Sequence, residues 1–205
     1  MSQRAGWFAW LIFIVGALYF ILPLFGAFVF SLQKVRGSIG FSAYAAAFAN
    51  PDFLRTFLFS SLIAALTIVA SLALIVPTAF WVNLRMPRWR GVVEFITLLP
   101  FVIPAIVLVF GVIRTYGKPL TVFGIPLLPP LLSSELSTNI VLVAAYTVLS
   151  LPYMYRATDN GLRAMDVRTL AEAAQSLGAN WFTVLARIIL PNLRTALLSG
   201  ALLTF

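Results

Sequence analysis

Asp52, Glu94, Glu135, Asp159, Asp166 and Glu172 are the only carboxylates in this chain, Lys34 and Lys118 are its only lysines, and histidine and cysteine are absent. That inventory limits the chemistry. Without imidazole or thiol there is no His or Cys ligand for a metal, no thiolate nucleophile, no disulfide and no base titrating near neutrality. No serine has a histidine to pair with, and Asp159 stands in ATDNG, which is not an intramembrane aspartyl-protease motif. GVIRTYGKP, Gly111 to Pro119, carries the glycines and lysine of a phosphate loop. Five residues separate the glycines where four are required, and Pro119 stands where Ser or Thr is needed. We expect no catalytic residue, no metal and no cofactor in this chain, and no ATP binding by it.

The elements around these groups are lipid-like. The chain has 205 residues, of which 61% are hydrophobic and 10% charged, against about 25% charged in a soluble domain. It reads as an integral membrane protein. Its net charge of +8 sits between apolar blocks without interleaved base-stacking aromatics, so it bears on orientation in the lipid bilayer and not on nucleic acid. A spanning helix needs about 20 apolar residues. Ala5 to Gln33 is uncharged and too long for the roughly 7–15-residue core of a signal peptide, which predicts a first helix over Phe8–Phe30. Further spans are predicted over Thr56–Leu84, Phe95–Ile113 and Leu136–Tyr155. After Arg194 only the 11 residues Thr195–Phe205 remain, too few to cross. The fold expected is an all-α, polytopic transmembrane helical bundle. Five spans are begun here, the fifth incomplete, with six in a complete chain.

Loop arginines and lysines set orientation. With the N-terminus in the cytoplasm, the inner segments hold nine (Arg4; Arg85, Arg88, Arg90; Arg156, Arg163, Arg168, Arg187, Arg194). The outer segments hold five (Lys34, Arg36, Arg55, Arg114, Lys118). LRMPRWR, three arginines in seven residues, is the strongest inner signal, and the region of Phe123 then faces outward. Pro100 and Pro104 interrupt the third span, either as a gate on a solute path or as a packing kink. Glu94 reads either as an intramembrane functional carboxylate or, lying four residues after Arg90 and near the interface, as half of a local ion pair, which the spacing favours. Ser60–Ala64 and Ser61–Ala65 have the small-xxx-small spacing of close helix packing.

One stretch is polar and regular: LAEAAQSLGANWFTVLARIILP, Leu170 to Pro191. Asp166 is placed to cap a helix beginning at Val167, with Val167, Leu170, Ala174 and Leu177 on one face. Gly178 stands where a helix end favours left-handed geometry. Asn180 is placed to cap a second helix whose apolar face is Trp181, Val184, Leu185 and Ile188, and Pro191 permits a change of direction before the next span. Periodicity alone leaves two readings, a pair resting on the lipid surface or a pair docking another protein.

Glu172-Ala173-Ala174, three residues, Gly178, nine residues, Ile188, one residue, Leu190-Pro191 resembles the signature loop of inner-membrane permease subunits of binding-protein-dependent ABC importers. That pattern is E-A-A-x3-G-x9-I-x-L-P, and every position is present. Arg55–Phe205 resembles the family's core and residues 1–54 its extra first helix and outer segment; the family's closing helices are missing. The resemblance implies that the loop, residues 156–194, docks into a groove on a separate cytoplasmic ATP-binding subunit and transmits its motion. Glu172 would meet a basic group there, and Gly178 would give the turn that fits the groove. It implies a second permease subunit, two ATPase subunits, an external solute-binding protein and a place in the bacterial inner membrane. The subgroup most similar in flavour handles polyamines, opines and phosphonates. A stand-alone secondary carrier or channel is the rival reading. Such a protein should show membrane-buried charge or broken helices for ion coupling, and almost no buried charge is expected here. A membrane enzyme comes third.

Overall fold

The computed structural model describes residues 6–33, 39–122 and 125–205. Arg4, Lys34 and Arg36 of the charge count, and Phe123, lie outside the described residues. The chain forms two compact units, one reaching to Phe59 and the other Ser60–Phe205.

In the first unit α1, Trp7–Ser31, has no buried residue. A helix apolar on every side suits lipid. Its end is tied to α2, Ser42–Phe48, by a hydrogen bond between the Ser31 and Tyr44 hydroxyls at 2.7 Å. Phe48, Phe53 and Phe57 make an aromatic row.

α3, Pro51–Arg85, has 35 residues, about 52 Å at 1.5 Å per residue. That exceeds the roughly 30 Å hydrocarbon layer, so the helix extends beyond the predicted span at both ends. Within the second unit its buried face runs Ile63, Thr67, Ser71, Ile75 and Ala79, one residue per turn. The serine–alanine pairs, expected to pack within the subunit or against a second permease, are not buried within this chain: Ser60 and Ala65 are exposed, Ser61 and Ala64 half-buried. Ser71 and Ser150 share a buried hydroxyl hydrogen bond of 2.6 Å between α3 and α6.

The predicted third span is not one helix. After a short turn over Pro87–Trp89, α4 occupies Arg90–Val102 and α5 Ala105–Tyr116, and the two are bent by 94°. Ile103 is extended, with φ −88° and ψ 118°, the conformation a following proline imposes. Pro104 makes the break; Pro100 is buried within the last turn of α4. A hairpin that the sequence reading missed follows, β1 Leu120–Val122 antiparallel to β2 Ile125–Leu128.

α6, Glu135–Ala164, is started by Ser134, whose hydroxyl accepts from the Ser137 amide. It runs on past the expected end at Tyr155. α7 is Val167–Ser176. α8 is one continuous helix, Trp181–Thr204, of 24 residues, with a π turn over Val184–Ile189. Pro191 therefore causes no change of direction. It lies in the first turn after the π segment, where the wider turn accommodates its missing N–H. The expected fifth span after Arg194 is thus part of a longer helix, whose 24 residues are by length and composition enough to cross a membrane.

α6 and α8 pack antiparallel and close. A Cβ on Gly161 would lie 2.5 Å from Leu193 Cδ2 and 2.8 Å from Ala196 Cβ; one on Gly200 would lie 3.1 Å from Ala157 Cβ and from Met154 Sδ. The core joins Ile75, Ala79 and Phe80 of α3 with Met154, Tyr155 and Leu162 of α6. Val167, Ala171 and Ala174 of α7 and Val184, Ile189 and Leu193 of α8 complete it. The second unit is an all-α bundle with one small hairpin.

Candidate functional site

The polar helix pair begins where α6 stops. Asp166 takes the left-handed conformation, φ 47° and ψ 62°. It is the only residue other than glycine with positive φ among those described. It precedes α7 as expected but does not cap it. Its carboxylate accepts from the Thr169 hydroxyl at 2.7 Å instead. Along α7 the buried positions are Val167, Ala171 and Ala174, with Leu170 half-buried and Leu177 89% exposed. The packed stripe is thus one step round from the predicted one, and Leu177 belongs to the free surface.

Gly178 ends α7 as expected, with φ 83°. The Gly178 amide donates to the Gln175 carbonyl at 2.9 Å and the Ala179 amide to the Ala174 carbonyl at 3.0 Å. These two bonds close the helix and leave a stiff turn. Asn180 caps α8, its side chain accepting from the Thr183 amide at 2.8 Å. Trp181 then packs against Phe80 and Trp81 of α3, and the Arg85 guanidinium lies 4.7 Å from the Trp181 ring centre. A cation on a tryptophan face stabilises by about 0.5–2 kcal/mol. Sequence reading missed Phe80, Trp81 and Arg85 as supports of this pair; Trp81 beside an arginine at the end of an uncharged run is the signal that was available.

The motif residues do not form one surface. Ala174 is buried, and Ile188 is half-buried against the core, so both anchor the pair. Glu172, Ala173 and Gly178 face outward. Glu172 already pairs with Arg168 one turn away at 3.0 Å. Both side chains are exposed, and such a pair contributes about 1 kcal/mol or less. Leu190 and Pro191 are on the outside of α8, and the Asn192 side chain donates to the Ile188 carbonyl at 2.8 Å. Around the turn, Leu177 and Phe182, 78% exposed, form an apolar tip that the motif pattern does not name. Pro100 and Pro104 lie elsewhere, at the bend between α4 and α5.

A second polar group was also missed. Arg90 does not pair with Glu94; among the described residues Glu94 makes no ion pair. Arg90 reaches across to Asp159 of α6 at 2.5 Å. Asp159 also accepts from Arg163 at 3.0 Å and from the Asn83 amide at 3.0 Å. Its side chain is only 7% exposed. Asp159 is a charge buried within the protein, tolerated because three helices bring donors to it. The described residues contain no group of three side chains able to hold a metal ion.

Four helices long and apolar enough to cross a membrane, with a bent pair counting as a fifth, define a multi-pass membrane protein. The chain belongs to the family of binding-protein-dependent transport system inner membrane components, whose sequence model matches residues 75–205. That stretch takes in the broken span, α6, the helix pair and α8. The chain is similar to a probable molybdenum ABC transporter permease of Haloferax volcanii, 29% identical over 92% of this chain and 64% of that protein. It is 29% identical to a spermidine/putrescine transport system permease of Haemophilus influenzae, over 62% of this chain and 45% of the relative. It is 30% identical to a molybdenum transport system permease of Azotobacter vinelandii, over 70% and 62%. The chain thus spans about half to two thirds of the length of these relatives.

Proposed function

We propose that the chain is the permease subunit of an ATP-driven importer, lining the solute path and coupling to a separate ATPase through the helix pair. The observation that carries this reading is the construction of the pair. Its inner face is part of the core shared with α3 and α6, while its tip presents Leu177, Gly178 and Phe182 to the outside. An element rigid at its base and apolar at its tip can deliver force to the bundle. In this reading the N-terminus and the pair are cytoplasmic, in a bacterial inner membrane. A second permease, two ATP-binding subunits and an external solute-binding protein complete the assembly. Residues 55–205 make the transport domain, and 1–54 an added helix and outer segment. Glu172 meets a basic group of the ATPase, and the bend at Pro104 with Pro100 is the moving part of the path. The solute is small and charged. The spermidine/putrescine relative supports a polyamine, and the molybdenum relatives support an inorganic ion. A buried Asp159 and a broken helix would also suit a secondary carrier, but family membership favours the ATP-driven reading.

Gly178→Trp tests the coupling role. The residue faces open space, so the variant should reach the membrane in near-normal amount. In vesicles carrying the assembled transporter, it should lose ATP hydrolysis stimulated by the loaded binding protein, and uptake with it. Normal stimulation by the variant would remove the helix pair from the mechanism. Spermidine, sulfate and molybdate offered in turn to the binding protein identify the solute class by which one stimulates hydrolysis.

A further inference from the structure

The Asp159 group sits at a mechanically telling place. Asn83 is near the end of α3, Arg90 begins α4, and Asp159 is near the end of α6, about two turns before the helix pair. Three features indicate that the group is more than a local satisfaction of charge. First, Arg90 stands at a helix N-terminus, where the backbone dipole disfavours a cation, so its position is not explained by α4 alone. Second, the Arg90 Nε and the Tyr155 hydroxyl are buried without a partner among the described residues; Arg90 keeps its contact with Asp159 while leaving that donor unmet. Third, the attachments of the two half-helices differ. α4 is fixed to α6 at both ends, by Arg90 on Asp159 and by the Phe101 ring edge-on to Tyr153, centres 5.2 Å apart. α5, beyond the bend, is separated from α6 by an apolar crevice of about 250 Å³ between Val112 and Leu149.

We propose that Asp159 is a positioning residue, a clamp that makes α4 move with α6, so that motion entering at the helix pair is delivered to the Ile103–Pro104 break as a change of bend. This rests on the coupling role proposed above. Coupling between distant sites needs a physical element that both ends bias, and the α4–α6 body joined to α7 is such an element. Removing Asp159's charge leaves the half-buried Arg90 without its counter-charge, which loosens the hold of α4 on α6.

The chain has no cysteine, so spin labels can be placed at will. Gly91 and Gly111 each have open space around an added Cβ, and Asn160 is exposed. In the full permease assembled with its ATPase, labels at Gly91 and Asn160 read the clamp, and labels at Gly91 and Gly111 read the bend. The wild type should give a narrow Gly91–Asn160 distance and a Gly91–Gly111 distance that shifts on trapping with ATP and orthovanadate. Asp159→Asn keeps the side chain's shape and the Asn83 contact. It should broaden the first distance and abolish the shift in the second, with ATP hydrolysis within about twofold of wild type. Arg90→Lys, which keeps the charge, should retain both. An unchanged Gly91–Asn160 distance in Asp159→Asn, or a surviving nucleotide-driven shift, overturns the clamp. If the wild type itself shows no shift, the coupling reading fails, while the Gly91–Asn160 distance still decides whether Asp159 clamps α4.

Discussion

Gly161 shows how a single hydrogen sets the distance between two helices. Leu193 is fully buried, so its methyl has nowhere to retreat from a new Cβ, and the Ala196 Cβ is fixed to its backbone. Gly161→Ala should therefore destabilise by about 1–3 kcal/mol through overpacking, seen as a lower unfolding midpoint in detergent. Gly200→Ala, whose nearest neighbours lie at 3.1 Å and include the flexible Met154 thioether, should be milder. Glu172→Ala removes only an exposed pair with Arg168. It should leave the midpoint unchanged within about 0.5 kcal/mol, so that any loss it causes appears in stimulated ATP hydrolysis alone. Stability and coupling are thus separable: the glycines inside the bundle govern the first, the outward residues of the helix pair the second.

At the scale of elements, the bend between α4 and α5 follows from one proline. Pro104→Ala frees Ile103 from its extended conformation, and the half-helices should then tend to join. Labels at Gly91 and Gly111 should move toward the roughly 30 Å of an unbroken helix of that length; no lengthening would place the cause of the bend in tertiary packing. Much at this scale is legible in the chain itself. α1 lies within a residue of its predicted ends because nothing polar competes with the apolar run, and Gly178 and Asn180 act as read because turns and caps are local chemistry. What was not legible depends on distant partners. Arg156, Asp159 and Arg163 look like a loop in sequence, yet α6 continues through them because Arg90, far away in the chain, neutralises Asp159. Pro191 looked like a stop, since a proline that ends a helix and one absorbed by a π turn are written identically. Leu177 was assigned to the buried face because its spacing fits; α7 turns instead on Ala171, whose small side chain permits the close approach.

For the whole molecule the decisive quantity is which side each segment occupies. A reporter active only outside the cell should be silent at Arg88 and at Ala179, and active at Ser133, between the hairpin and α6. Silence at Ser133 would mean that α4 and α5 dip into the bilayer and return, so that the bent pair is a re-entrant loop. Within that frame the π turn of α8 has a consequence for what lengths the chain tolerates. A π turn holds one residue more than an α turn, and a residue in a helix subtends about 100°. Deleting Ala186 should restore regular winding and keep Trp181 on Phe80 and Arg85, because the turn gives up only the residue it held in excess. Surface segments ordinarily absorb a change of length in either direction; here the loss of one residue is absorbed by the π turn, whereas an added residue would swing the outward tip by about 100° against the buried helix.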